Sequence, residues 1–211
     1  MAFMHMARID LVFDIGANEG QFVQGLREGG YKGEAISIEP GADAFALLLS
    51  NAKKDSAWTV HPRCAVGASC GAIRLNVSAN SVSSSVLQML SAHTKSAPNS
   101  VYLSAEEVEM QTLDEIAAGY QLSKVKKQIL LKIDTQGYEW QVLDGAKLIL
   151  PEVAAVLVEV SIVPLYEGQK LWLQIIERLE SSGFKLCSLE HAFVDSKTGQ
   201  TLQLDAMFIK A

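Results

Sequence analysis

The stretch Val12-Phe13-Asp14-Ile15-Gly16-Ala17-Asn18-Glu19-Gly20 runs an apolar strand into a glycine turn and then into a helix. The apolar run Leu11–Ile15 stops at Gly16, where a residue without a Cβ lets the backbone turn tightly and come close to a ligand. Residues 19–29 read as a helix with Phe22, Val23 and Leu26 on one face and Gly29-Gly30 as its stop. A helix that starts at such a turn points free N–H groups and the positive end of its dipole at whatever binds there.

The same alternation repeats on the C-terminal side. Residues 35–38 form a second apolar run ending in Glu39-Pro40, residues 42–53 read as a helix, and residues 59–66 as a third strand. Strands alternating with helices predict a parallel sheet covered on both faces. Residues 72–115 break the rhythm. Residues 72–77 alternate like an antiparallel strand, 78–85 are a serine-rich loop, 91–100 are polar and flexible in character, 107–113 predict a strand and 113–118 a short helix. We expect this segment to elaborate the sheet inside one domain spanning residues 1–211.

The βα pattern then resumes with Ile129–Ile133, apolar apart from Lys132, a helix over 139–149 closed by Pro151, and a buried strand over 154–160. An amphipathic helix over 171–181 stops at Gly183, and strands over 184–189 and 202–210 close the chain. Thr198-Gly199-Gln200 is a turn between the last two, so they should pair antiparallel, because a parallel pair needs a long crossover. The expected fold is a Rossmann-like α/β domain with a mostly parallel seven-stranded sheet, one antiparallel C-terminal strand, and helices on both faces.

The glycine turn departs from the dinucleotide pattern G-x-G-x-x-G. Its register is Gly16-x-Asn18-x-Gly20, and Asn18 stands where a second glycine would let a pyrophosphate approach the backbone. Asp14, inside the strand end, would repel a pyrophosphate and suit the cationic amino group of a methionine moiety. Glu39 ends the next strand, at the position from which an acid accepts hydrogen bonds from ribose hydroxyls. Together these residues favour S-adenosylmethionine over NAD. A later segment, Leu131-Lys132-Ile133-Asp134-Thr135-Gln136-Gly137-Tyr138-Glu139, ends another predicted parallel strand and places Asp134 on the same rim, with Glu139 opening the next helix. Charge complementation at that helix start is an equally good account of Glu139.

The chain resembles the FkbM-type methyltransferase family. The resemblance rests on Phe13-Asp14-Ile15-Gly16-Ala17-Asn18, Ile38-Glu39-Pro40, Val82-Ser83-Ser84-Ser85, Thr112-Leu113-Asp114, the segment from Lys132 to Glu139, Val142-Leu143-x-Gly145, Pro164-Leu165-Tyr166 and Leu204-Asp205-Ala206-Met207-Phe208, in family order. It departs at Gln136, where the family usually has Glu. The resemblance implies methyl transfer to oxygen on a small hydroxylated acceptor such as a sugar or natural product. It also implies a cofactor set of Asp14, Gly16, Ala17, Asn18, Gly20, Glu39, Pro40, Ala65, Ser84 and Asp134.

Methyl transfer from a sulfonium needs alignment of the reacting atoms and a group to take the acceptor's proton. The candidate bases are Asp134, then Glu159, then Glu139. The same three acids are the candidates for holding Mg²⁺, should a metal acidify the hydroxyl. His93 reads as a solvated loop residue, and Trp140 and Trp172 as helix packing. Two rival functions are an NAD-type oxidoreductase and a non-catalytic protein that keeps the cofactor fold.

Composition narrows the partners. With 49% hydrophobic and 20% charged residues in 211, the chain can bury one core. A net charge of −6, with Lys124, Lys126 and Lys127 as the one compact basic cluster, disfavours nucleic acid. Three cysteines without a repeated spacing argue against a disulfide framework and suit the cytoplasm. No apolar run is long enough to span a bilayer and no signal peptide is read at the N-terminus. Self-association to a homo-oligomer is left open.

Overall fold

In a computed structural model, which describes residues 8–120 and 127–211, two strands of five residues are buried along their whole length: Leu11–Ile15 and Ile129–Ile133. Both are near-continuous apolar runs in the sequence, and such runs belong at the centre of a sheet covered on both faces. In chain order the elements are β1 (Leu11–Ile15), α1 (Gln21–Glu28), β2 (Glu34–Ile38), α2 (Ala42–Ala52), β3 (Trp58–Val60), β4 (Ala65–Val66), β5 (Gly71–Ser78) and α3 (Ser91–Ser96). There follow β6 (Tyr102–Gln111), α4 (Leu113–Gly119), β7 (Ile129–Ile133), α5 (Glu139–Asp144), β8 (Val153–Ser161), α6 (Trp172–Ser181), β9 (Phe184–Val194) and β10 (Thr201–Lys210).

The large sheet has seven strands in the order β3-β2-β1-β7-β8-β10-β9. All neighbours are parallel except that β10 runs antiparallel to both β8 and β9. Alternate residues of each strand feed two cores. One holds Phe13, Leu131, Val156 and Phe208 with Ile116, Val142, Leu143, Ile175 and Leu179 from α4, α5 and α6. The other holds Val12, Ala35, Leu130 and Ala155 with Val23, Leu26 and Leu48 from α1 and α2. The expected architecture is thus found, antiparallel final strand included.

Several local expectations are corrected. The strand expected over 59–66 is two strands in two sheets. Trp58–Val60 pairs with β2, and after His61 donates its N–H to the Ser37 carbonyl the chain turns away at Pro62, which cannot donate to a ladder. Ala65–Val66 joins β6 and β5 in a separate sheet of order β4-β6-β5, so residues 71–111 do not extend the large sheet. The helix expected to reach residue 149 ends at Asp144 because Gly145 packs its bare Cα against the Gly67 carbonyl, where a Cβ would lie 2.0 Å from the oxygen.

The polar stretch 91–100 is ordered as α3 and a 3₁₀ turn over Pro98–Ser100. His93 is buried there, not solvated. Its Nδ1 lies 2.9 Å from Ser100 Oγ and its ring 5.3 Å from those of Tyr166 and Phe193. Of the basic cluster, Lys127 pairs with Glu34 at 2.7 Å, and Lys124 and Lys126 lie outside the described residues, as do the first seven positions. Among the described residues, no helix is long and apolar enough to cross a membrane.

Candidate cofactor and active site

The strand order runs one way from β1 through β2 to β3 and the other way from β7 through β8, so the direction reverses between β1 and β7. Open α/β sheets bind ligands at such a switch point, beyond the carboxyl ends of the strands. A cavity of about 430 Å³ lies there. Glu39 and Pro40 line one end, Gly16, Ala17 and Asn18 the middle, and Lys132, Asp134 and Gln136 the other end, with Ser81, Ser84 and Ser85 reaching in from the small-sheet side.

Gly16 has φ +75°, and a Cβ on it would stand 1.9 Å from the carbonyl oxygen of Asp134. The glycine therefore lets the loop after β1 lie directly on the loop after β7, which brings the two halves of the cavity together. Asn18 also adopts a left-handed conformation, φ +49°, and turns its N–H onto Glu39 Oε2 at 2.7 Å. The Gly41 N–H donates to the other carboxylate oxygen at 2.8 Å. Burial pushes the Glu39 carboxyl up to about 7, against the pull of those two N–H groups. Each oxygen keeps a lone pair for a further donor, so the group suits a vicinal diol.

Asp14 is fully buried and does not line the cavity. Its Oδ2 accepts from Ser37 Oγ at 3.3 Å, and Ser37 Oγ in turn accepts from Trp58 Nε1 at 2.9 Å. Lys132 Nζ stands 3.1 Å from Asp14 Oδ1 without hydrogen-bond alignment, which makes the contact an ion pair and leaves that oxygen short of a donor. The ammonium also donates to the Gly16 carbonyl at 3.3 Å and lies 3.5 Å from Asp134 Oδ2. Burial alone would discharge Lys132, but Asp14 and Asp134 outweigh it and hold it protonated. Lys132, the partner of Asp14, is on the wall.

Asp134 does line the cavity, and its Oδ1 accepts from Gln136 Nε2 at 2.8 Å. The profile of the Methyltransferase FkbM domain matches residues 14–186. The chain belongs to the FkbM methyltransferase family. An FkbM methyltransferase from Methylobacillus flagellatus KT superposes with a TM-score of 0.58 at 16% identity, over 95% of this chain and 43% of that one. TehB from Haemophilus influenzae superposes with a TM-score of 0.51 at 9% identity, over 100% of this chain and 60% of that one. Both likenesses show the fold, and this chain spans less than half the length of the first. Among curated proteins none matches it in sequence.

The other two candidate acids of this FkbM domain, Glu139 and Glu159, do not line the cavity. Glu139 turns back on its own loop, where Oε1 accepts from the N–H groups of Thr135 at 3.1 Å and Gly137 at 3.0 Å. It braces the turn that presents Asp134, and burial pushes its carboxyl up to about 7. Glu159 sits behind Gln136, whose Nε2 reaches its Oε2 at 2.8 Å, and Gln203 Nε2 donates to the same oxygen. Burial, then the charges of Asp134, Glu139 and Asp205, hold Glu159 well above the usual carboxylate range. Gly20 packs under the ring of Trp58, where its Cβ would come within 2.6 Å, and does not reach the cavity.

Asp134, Glu139 and Glu159 do not form a metal donor set. Glu139 faces backbone donors, and an amide stands between the other two. Among the described residues no group of three or more acids, histidines or cysteines is placed to hold an ion. The sequence reading missed Lys132, Phe22, Leu157 and Asp205 on the wall. Lys132 had a signal: a lone charge in the fourth position of an apolar run, matching Asp14 in the fourth position of β1, its register partner.

Proposed function

We propose that this domain binds S-adenosylmethionine across the β1–β7 switch point and directs its methyl group to a hydroxyl on a small acceptor such as a sugar or natural-product glycoside. The carrying observation is one cavity with a carboxylate held by two backbone N–H groups, Glu39, at one end and an accessible carboxylate, Asp134, at the other. When bound, S-adenosylmethionine supplies an electrophilic methyl on a positively charged sulfur. Glu39 would accept the ribose hydroxyls, with Gly16, Ala17, Asn18, Pro40, Ala65 and Ser84 forming the surrounding wall. Asp134 would accept the acceptor's hydroxyl proton as the new C–O bond forms, a role for which general bases typically contribute about 10²–10⁴ in rate. Asp14 would act at one remove by fixing Lys132. The free thiols of Cys70 and Cys187, both exposed, support a reducing, cytoplasmic setting.

The test is a calorimetric titration with S-adenosylmethionine and S-adenosylhomocysteine. We expect saturable binding that is lost in Glu39→Ala and retained in Asp134→Asn, with methyl transfer lost in the latter. NADH should not bind. Failure of the folded parent to bind either sulfur compound would sink the reading.

A further inference from the structure

We infer that the side-chain amide of Gln136 occupies the place of a divalent cation between Asp134 and Glu159, making the site one that binds no metal. The amide nitrogen has two hydrogens and spends both: one on Asp134 Oδ1 and one on Glu159 Oε2, each at 2.8 Å. Its oxygen accepts from the hydroxyl of Tyr166 at 2.8 Å. The two acids fix which way the amide faces, because a flipped amide would turn its oxygen onto both of them, whereas the Tyr166 hydroxyl can donate or accept. The residue is locked further by its backbone, which takes φ +52° and whose carbonyl accepts from the Ser85 hydroxyl at 2.7 Å.

An acid just beyond β7 and one on β8 thus converge on one atom, which is the geometry a bridging ion exploits. Here a neutral donor does the bridging. Lys132 flanks Asp134 on one side and Gln203 serves Glu159 on the other, so neither acid is left needing a cation. A hard divalent ion takes six or more oxygen ligands, among them carboxylates. It would have to displace an amide held by three hydrogen bonds. Gln136 is therefore a positioning residue: it aims Asp134 into the cavity and keeps Glu159 tied behind it.

One added carboxylate should turn the clasp into a cation site. The experiment is Mn²⁺ titration of the full chain, followed by electron paramagnetic resonance and calorimetry, with S-adenosylmethionine binding measured on the same samples. The parent should show no Mn²⁺ site that Asp134→Asn removes. Gln136→Glu should gain one such site, at least tenfold tighter than any in the parent, and Gln136→Glu combined with Glu159→Gln should lose it. Should Gln136→Glu not fold, Gln136→Leu carries the test: with the bridge gone, Mn²⁺ should raise its Tm and leave the parent's unchanged. A parent site abolished by Asp134→Asn, a folded Gln136→Glu without Mn²⁺, or a Gln136→Leu indifferent to Mn²⁺ would overturn the inference. The inference does not rest on the methyl-transfer reading. A parent that takes up Mn²⁺ and S-adenosylmethionine loses only the former, and one that takes up neither loses only the latter.

Discussion

Glu39 must be an anion in a place that disfavours one. Its carboxyl is buried and pushed up to about 7, yet as a carboxylate it accepts two backbone N–H groups and keeps the lone pairs that a diol needs. Hydrogen bonds to a charged acceptor are worth about 1.5–3 kcal/mol each, so the ligand should select the ionised form. Binding then releases a proton at acidic pH. Affinity for S-adenosylmethionine should be full at pH 8 and weaken as pH falls through about 7, by up to about tenfold per unit. Glu39→Gln should bind weakly with no such slope. Calorimetry from pH 5.5 to 8 reads both, and a flat profile for the parent would show that Glu39 does not meet the ligand. The charge on Asp14 is a different kind of feature: it was legible as an acid next to a glycine turn, but its burial was not, because that depends on Lys132 arriving from a strand more than a hundred residues away.

At the scale of elements, the site exists because two loops cross in contact. Gly16→Ala should be costly beyond its backbone strain, since the new Cβ meets main chain, which has no rotamer to change. Left-handed strain of about 1–2 kcal/mol and overpacking of about 1–3 kcal/mol should together lower Tm by about 5 °C or more. Gly30→Ala is the control: it has φ +92° but open space around it, so only the strain remains. Equal shifts in the two variants would mean that the loop crossing is not tight. Strand and helix order was legible because short apolar runs that stop at Gly16 or Glu39-Pro40 and helices with a period near 3.6 leave separate marks in the sequence. Where the reading failed, a local breaker had been passed over: Pro62 inside the supposed third strand and Gly145 inside the supposed long helix. His93 offered no such mark, since Tyr166 and Phe193, which bury it, come from distant segments. At the site, Glu39 and Asp134 were legible because each caps a strand, whereas the clasp at Gln136 was not, as it depends on where β8 and β10 place Glu159 and Gln203.

For the whole molecule, the buried acids set how stability follows pH. Glu39 and Glu139 titrate near 7 in the fold against an ordinary 4.5, and Glu159 is raised as well. Groups raised in this way bind protons more tightly folded than unfolded. Their contribution is fully present below about 4.5 and is lost as pH rises through about 7. Asp195, held down at about 2 by Ser96 and the Thr198 turn, acts oppositely, and its contribution is lost only in stronger acid. The ligand-free protein should therefore melt at a lower temperature at pH 8 than at pH 5.5, and S-adenosylmethionine should raise Tm more at the higher pH. Thermal unfolding across that range checks both, and a Tm that climbs towards pH 8 without ligand would contradict the account.

The seating of β10 between β8 and β9 also has a history. β9 is made before β10 but bonds to the large sheet only through it, so the order of synthesis is not the order of assembly. At ribosomal rates of about 5–20 residues per second, the roughly fifty residues after β8 take about 2–10 s to appear. Throughout that interval the growing chain carries an open sheet edge at β8, joined towards its end by β9, a strand with nowhere to dock. An unpaired edge of this kind is a template for other chains until β10 covers it.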